Sequence, residues 1–361
     1  MDARTVISKC VLMPASWAYG MGTYVRNKLF DFHILKQHSF DVPVIVVGNL
    51  SVGGTGKTPM VEYIIEHLRH TYHVGMVSRG YKRHTKGFVM ASSKSTPRDI
   101  GDEAYQVFNK FDGDVPVAVC EDRVKGIQKL LSIDPDINLI ILDDAFQHRY
   151  VKPTVAVVIT EHARPVFEDR MLPYGHLRES VHGLNRAQIV VVSKCPDSMK
   201  QIDYRIYSKN LNLYPSPTQE LFFSRLNYMP LKPVFPKAVQ QTPFLDWLSD
   251  TDSILAIAGI GNPRPFIRYL KGFRPKVKVN IYPDHHKFTR RDVEHIKKRY
   301  ESMRGGNRII VTTEKDAVRL ANNPYYPHEL KAVTFYLPIE VDFIPEGNPA
   351  SFIEEIKKRL R

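Results

Sequence analysis

The chain is poor in cysteine, with only Cys10, Cys120 and Cys195 in 361 residues. They are odd in number, far apart and without metal-ligand spacing, which excludes a disulfide framework and fits a reducing compartment. Long hydrophobic runs are missing as well. Cys10 to Val25 holds sixteen consecutive uncharged residues, but Pro14, Gly20 and Gly22 interrupt it. A bilayer-spanning helix needs about 20 apolar residues, so this stretch is too short and too broken to span. No small-residue cleavage site follows a compact apolar core, so no cleavable signal peptide is expected. Acidic residues are in deficit: 38 Asp and Glu face 51 Lys and Arg, a formal net charge of +13. That balance asks for a polyanionic partner, whether nucleic acid, an anionic membrane or a phosphorylated substrate. Internal repeats and low-complexity tracts are absent.

What is present points first to a nucleotide. An apolar run, Val44 to Val47, leads into Gly48-Asn49-Leu50 and then Ser51-Val52-Gly53-Gly54-Thr55-Gly56-Lys57-Thr58, with a helix-like stretch from Val61 to Leu68 behind it. The order is strand, phosphate loop, helix. Glycines let the backbone curl so that successive N–H groups point at phosphate oxygens, and the helix N-terminus adds its positive end. Lys57 can reach the β- and γ-phosphates, and Thr58 can place its hydroxyl on Mg²⁺. The first glycine of the usual G-x-x-x-x-G-K-[ST] spacing is Ser51 here. Residues 51–58 are therefore the candidate nucleotide-binding residues, and a nucleoside triphosphate is the expected ligand.

The length exceeds the roughly 100–200 residues of one domain, so two domains are expected. Apolar runs at Val74–Ser78, Val115–Cys120, Leu139–Leu142, Val155–Thr160 and Ile189–Ser193 alternate with helical stretches near 101–111, 123–132 and 164–171. This predicts an α/β fold of the P-loop NTPase type: a mainly parallel sheet with helices on both faces. A boundary falls at 211–218, and a second, smaller C-terminal α/β domain starts at Ile254 with strands at Val277–Ile281, Arg308–Thr312 and Val333–Tyr336. The run Ile339 to Ile344 pairs with 221–226 as a two-stranded bridge, and the chain ends in an amphipathic helix. The expected division is 1–40, an amphipathic N-terminal segment; 41–217, the phosphate-loop domain; and 218–361, the smaller domain.

Ligands in such sheets sit beyond the carboxyl ends of the strands, so strand-to-helix junctions carry the chemistry. At one of them, Ile140-Ile-Leu-Asp143-Asp144, an apolar strand delivers two carboxylates, as in a metal-orienting Walker B strand. Gly101-Asp102-Glu103 opens a helix with adjacent carboxylates pointing about 100° apart, able to take different tasks, one a hydroxyl proton and the other a metal. Arg123 follows Val115–Cys120 and can bind phosphate bidentately. In the second domain Asp284-His285-His286 and Thr313-Glu-Lys-Asp316 follow strands. Trp17, Tyr19 and Tyr24, flanked by Lys9, Arg26, Lys28 and Lys36, suit the headgroup level of a membrane; a core-packing N-terminal helix pair is the alternative. Val192-Ser-Lys194-Cys-Pro-Asp197 is faintly like a guanine-reading motif, but Pro196 stands at its Asp position.

Together these segments resemble the tetraacyldisaccharide 4′-kinase, or lipid A 4′-kinase, family. The ordered matches are Ser51–Pro59, Ser78–Tyr81, Gly101–Glu103, Glu121–Arg123, Leu142–Arg149, Leu172–Glu179, Gly259–Pro263, Pro283–His286 and Thr313–Asp316. Ser51 is itself part of that pattern; Ala145 stands where glycine is commoner. The resemblance implies transfer of the ATP γ-phosphate to the 4′-hydroxyl of an acylated glucosamine disaccharide 1-phosphate. It implies a peripheral protein on the cytoplasmic face of the inner membrane, with no nucleic-acid or protein partner. It makes Asp102 the catalytic base with His285 as its partner, Glu103 and Thr58 the Mg²⁺ ligands, and Lys57 and Arg123 the stabilisers of transferred charge. Asp143 and Asp144 support metal and geometry.

Overall fold

The computed structural model describes residues 11–211, 219–345, 348 and 350–361. Cys10 and almost all of the expected boundary at 211–218 lie outside them. Two sheets organise the chain. The larger has nine strands in the order β14-β8-β7-β6-β1-β5-β2-β4-β3. Its seven inner strands are parallel: β1 (Val44–Asn49), β2 (Val74–Ser78), β4 (Val117–Val119), β5 (Leu139–Asp143), β6 (Val155–Glu161), β7 (Ile189–Ser193) and β8 (Glu220–Tyr228). Antiparallel β3 (Val89–Met90) and β14 (Ile339–Phe343) close its edges. β1, β2, β5 and β7 are buried along their whole length, as continuous apolar strands must be between two helical layers.

One layer contains α2 (Lys57–Leu68), α4 (Asp102–Lys110) and α11 (Phe352–Leu360); the other contains α5 (Arg123–Ile133) and α6 (Gln201–Asn210). α2 buries Met60, Val61, Ile64, Ile65 and Leu68, each contributing about 1.5–3 kcal/mol of apolar burial. Gly48 in β1 permits a close approach. A Cβ there would lie 2.6 Å from the Cβ of Phe146, so glycine lets the Asp143–Phe146 turn pack beside the phosphate loop.

The smaller sheet runs β11-β10-β12-β13-β9. Parallel β10 (Ser253–Ala258), β11 (Lys276–Ile281), β12 (Arg308–Thr313) and β13 (Thr334–Leu337) are joined by antiparallel β9 (Lys232–Pro233). α7 (Arg264–Lys271) covers one face, and α8 (Arg290–Glu301) with α9 (Glu314–Ala321) the other. The 339–344 run does pair with the expected 221–226 stretch, but shifted toward its end: Ile339–Phe343 lies against 224–228, in the register Ile339↔Tyr228 to Phe343↔Ser224. Because β8 also pairs with β7, this pair extends the larger sheet.

One expectation changes. Residues 164–171 form turns, not a helix. Pro165 has no N–H, and the Asp169 carboxylate accepts from Arg170 N (2.8 Å) and His176 N (3.1 Å), offering the backbone a competing partner. Among the described residues the N-terminal segment carries one helix, α1 (Met13–Asp31), running through Gly20 and Gly22. Only Ser16 and Phe30 of α1 are buried, while Trp17 (70% exposed), Met21, Tyr24 and Val25 face outward. Ser16 Oγ donates to Met171 O (3.0 Å) and Tyr19 OH to Arg178 O (3.0 Å), docking α1 on the 171–179 segment. Among the described residues no helix is long and apolar enough to cross a membrane.

Candidate active site

The site forms beyond the carboxyl ends of β1 and β5, where α4 meets the smaller unit. Gly53 (φ 111°) and Gly56 (φ 92°) adopt the left-handed backbone that lets the loop reverse before Lys57 and Thr58 open α2. Ser51 is buried and bridges to Leu177, while Val52 N donates to His176 O (2.8 Å).

Beside the loop, β5 ends in the two carboxylates. Asp144, at φ 47°, accepts from Arg178 Nη1 (2.9 Å), and Lys57 Nζ stands 3.7 Å from the same oxygen. Burial would raise its pKa, but Lys57 and Arg178 outweigh that and hold it below the usual carboxylate value. Asp143 is the opposite case. Burial, reinforced by the charge of Asp144, pushes its pKa up to about 7, and its Oδ1 is buried without a partner among the described residues. Arg123 is buried, donates to Glu121 O (2.8 Å) and reaches Asp144 O at 3.5 Å.

The second half of the site crosses between the units. Gly101, at φ 86°, precedes α4; a Cβ there would sit 3.0 Å from Tyr81 O, so only glycine lets this turn close. α4 then presents Asp102 and Glu103 in its first turn, favourable charge for a helix N-terminus. From the smaller unit, His285 Nδ1 lies 3.1 Å from Asp102 Oδ2. Arg319 of α9 donates to that oxygen through Nη2 (2.7 Å) and Nε (3.1 Å), and through Nη1 to the fully buried Asp316 (2.7 Å). Burial would raise the pKa of Asp102, but His285, Arg319 and Lys315 outweigh it and bring it to about 2. Lys315 Nζ lies 3.0 Å from His285 Nε2 and 2.8 Å from Glu103 Oε1. An ammonium only donates, so with Lys315 on Nε2 that nitrogen accepts and Nδ1–H donates to Asp102. Arg319 Nη2 also passes 3.3 Å from Nδ1 but is spent on Asp102 Oδ2. His285 sits at φ 59°, backbone strain of the kind stored at functional sites.

A divalent cation fits this donor set. Among the described residues no three His, Cys, Asp or Glu side chains converge on one point. Mg²⁺ does not need that, since it is usually held by one or two carboxylates together with phosphates and water. The unpartnered Oδ1 of Asp143, with its raised pKa, marks where positive charge is wanted. Glu103 is engaged with Lys315 instead, though it is near enough to Asp143 to add to its repulsion.

The family model described as tetraacyldisaccharide-1-P 4′-kinase matches residues 8–361. The chain belongs to that family. Tetraacyldisaccharide 4′-kinase of Bacteroides thetaiotaomicron is 50% identical over 352 residues, covering 95% of this chain and 91% of that protein. The enzyme of the same name from Flavobacterium johnsoniae is 41% identical and covers 97% and 98%. Among solved structures, an "apo" form of LpxK from Aquifex aeolicus in complex with ATP superposes with a TM-score of 0.73 at 27% identity, over the full length of both chains.

For this member of the tetraacyldisaccharide 4′-kinase family, the residues singled out in the sequence fall into two groups. Lys57, Arg123, Asp143 and Asp144 gather around the loop; Asp102, Glu103 and His285 gather in the cleft. Of the two histidines only His285 reaches Asp102. His286 pairs with Asp292 (2.9 Å) and stacks on Tyr282. Sequence reasoning missed Arg319. Its only local signal is the i, i+3 spacing from Asp316, and its contact with Asp102 spans 217 residues.

Proposed function

We propose that the chain transfers the γ-phosphate of ATP to the 4′-hydroxyl of a tetraacylated glucosamine disaccharide 1-phosphate. The kinase class and its place in lipid A biosynthesis follow from the family; the residue roles are our reading. Residues 51–58 hold the triphosphate, with Lys57 and Arg123 drawing negative charge off the transferred group. Thr58, Glu103 and Asp143 would hold Mg²⁺, which would supply charge neutralisation on the polyphosphate. Glu103 must exchange Lys315 for it. Asp102 and His285 act together on the acceptor: Asp102 fixes the Nδ1 proton, and the pair takes up the hydroxyl proton when the acceptor displaces Lys315 from Nε2. Asp144, held by Arg178, keeps Lys57 in place.

The observation that carries this reading is the meeting of His285 with Asp102 at 3.1 Å between the two units, beside a complete phosphate loop. The exposed face of α1 and the +13 net charge support peripheral contact with the anionic cytoplasmic leaflet of the inner membrane. The test is incubation of purified chain with γ-labelled ATP, Mg²⁺ and the disaccharide lipid. Label is expected in a 4′-phosphorylated product, and Lys57→Ala is expected to abolish it. Label appearing only in inorganic phosphate sinks the proposal.

A further inference from the structure

The Val192–Asp197 segment has no part in the chemistry above, yet it grips the phosphate loop from behind. Ser193 Oγ donates to Thr55 O (2.7 Å), and Lys194 Nζ donates to Gly54 O. From just beyond β6, Arg164 Nη2 donates to Val52 O (3.0 Å). Thr55 N donates to Gly53 O (3.1 Å), so four consecutive carbonyls, 52 to 55, are all taken. Gly53 and Gly56 N–H, on the same peptides as the Val52 and Thr55 carbonyls, have no acceptor among the described residues. Glu161 stands between the two cations, 2.9 Å from Lys194 and 3.8 Å from Arg164. A side chain at Gly53 would meet Arg164 Nη2 at 3.0 Å, so the loop glycine also makes room for its clamp.

We propose that Glu161, Arg164, Ser193 and Lys194 form a brace that turns the loop carbonyls outward and so commits the loop N–H groups to phosphate. The N–H and C=O of a trans peptide point opposite ways. Fixing the Val52, Gly54 and Thr55 carbonyls on cation and hydroxyl donors therefore sets the direction of the Gly53, Thr55 and Gly56 N–H groups of the same peptides before nucleotide arrives. Thr55 N–H is spent inside the loop on Gly53 O, and Gly53 and Gly56 N–H are left for phosphate, which lowers the ordering penalty of binding. Lys194 keeps its place at φ 56°, a left-handed backbone that costs a non-glycine residue energy and aims its side chain at Gly54. With Pro196 at the expected Asp position, the segment braces the loop without a carboxylate to read a guanine edge. Lys194 and Arg164 are thus positioning residues for the nucleotide.

The inference rests on the phosphate loop as the ATP site, and its test separates the two. Binding of a non-hydrolysable ATP analogue is measured by calorimetry on the full chain, beside the KM values for ATP and for the lipid acceptor. Lys194→Met is expected to weaken analogue binding and raise the ATP KM about tenfold, the equivalent of one charge-assisted hydrogen bond. The acceptor KM should stay unchanged, and Lys194→Arg should recover most of the loss. Unchanged analogue affinity in folded Lys194→Met overturns the brace. Should that variant fail to fold, Arg164→Lys is judged by the same affinity criterion. Weakened analogue binding in a chain that does not phosphorylate the lipid keeps the brace and removes the acceptor assignment. A lowered thermal midpoint without any change in affinity assigns these residues to folding alone.

Discussion

Replacing Asp143 by asparagine is expected to make the protein more stable while stopping catalysis. Asp143 ionises near 3.8 in an unfolded chain but at about 7 in the fold, because burial and Asp144 oppose its charge. The gap of about 3 units, at about 1.36 kcal/mol each, is about 4 kcal/mol of destabilisation once the group is forced to ionise. The sign follows from proton counting. Between pH 3.8 and about 7 the folded chain holds a proton that the unfolded chain has lost, so stability falls as pH rises through that window. Above about 7 the penalty is complete. An asparagine side chain carries no charge and escapes it. Allowing for relaxation around the carboxylate, Asp143→Asn should gain about 2–4 kcal/mol over the parent at pH 8 and almost nothing near pH 3.5. Thermal unfolding in EDTA at several pH values reads the difference. Mg²⁺ with ATP should narrow it, since a cation stabilises the carboxylate and not the amide. A variant less stable than the parent at pH 8, or an advantage that does not change with pH, refutes the reasoning.

The two α4 carboxylates should divide their labour. Asp102→Ala is expected to lower kcat by about a hundredfold or more with little change in ATP KM, as for a group used in proton transfer; Glu103→Ala should raise the Mg²⁺ concentration needed for half-maximal rate, and identical weak effects from both would assign them to helix stability. On α1, converting exposed Trp17, Met21 and Tyr24 to serine should reduce sedimentation with anionic vesicles without moving the thermal midpoint, because none of the three is buried. A drop in the midpoint with unchanged vesicle binding would make α1 a structural helix.

Legibility in the sequence followed locality. The phosphate loop and the inner strands of the larger sheet are local patterns of apolar residues, and the fold reproduces them to within a residue or two, while two-residue β3 carries no such pattern. Asp143 and Asp144 were readable because they end such a strand. The 164–171 stretch was misread because the competing acceptor, Asp169, bonds to His176 seven residues on, beyond the helical pattern being matched. His285 and His286 could not be separated in sequence, since what separates them is a carboxylate 183 residues away. Arg319 was invisible for the same reason: nothing in α9 announces a partner on α4.

The path by which the chain leaves and re-enters the larger sheet has its own consequence. β8 exits at Tyr228 and β14 begins at Ile339, residues that face each other across the antiparallel pair, and Met229 N still donates to Pro338 O (2.9 Å). Topologically, residues 229–338 are an insertion in the turn of a β-hairpin. Joining Tyr228 to Ile339 through an Asn-Gly turn, which suits such a hairpin, is expected to give a chain that folds and binds ATP but cannot phosphorylate; failure to bind ATP would mean the insertion also shapes the loop. The inserted unit is joined to the larger sheet through two adjacent strands, so a single crossing point sets where His285 and Arg319 meet Asp102.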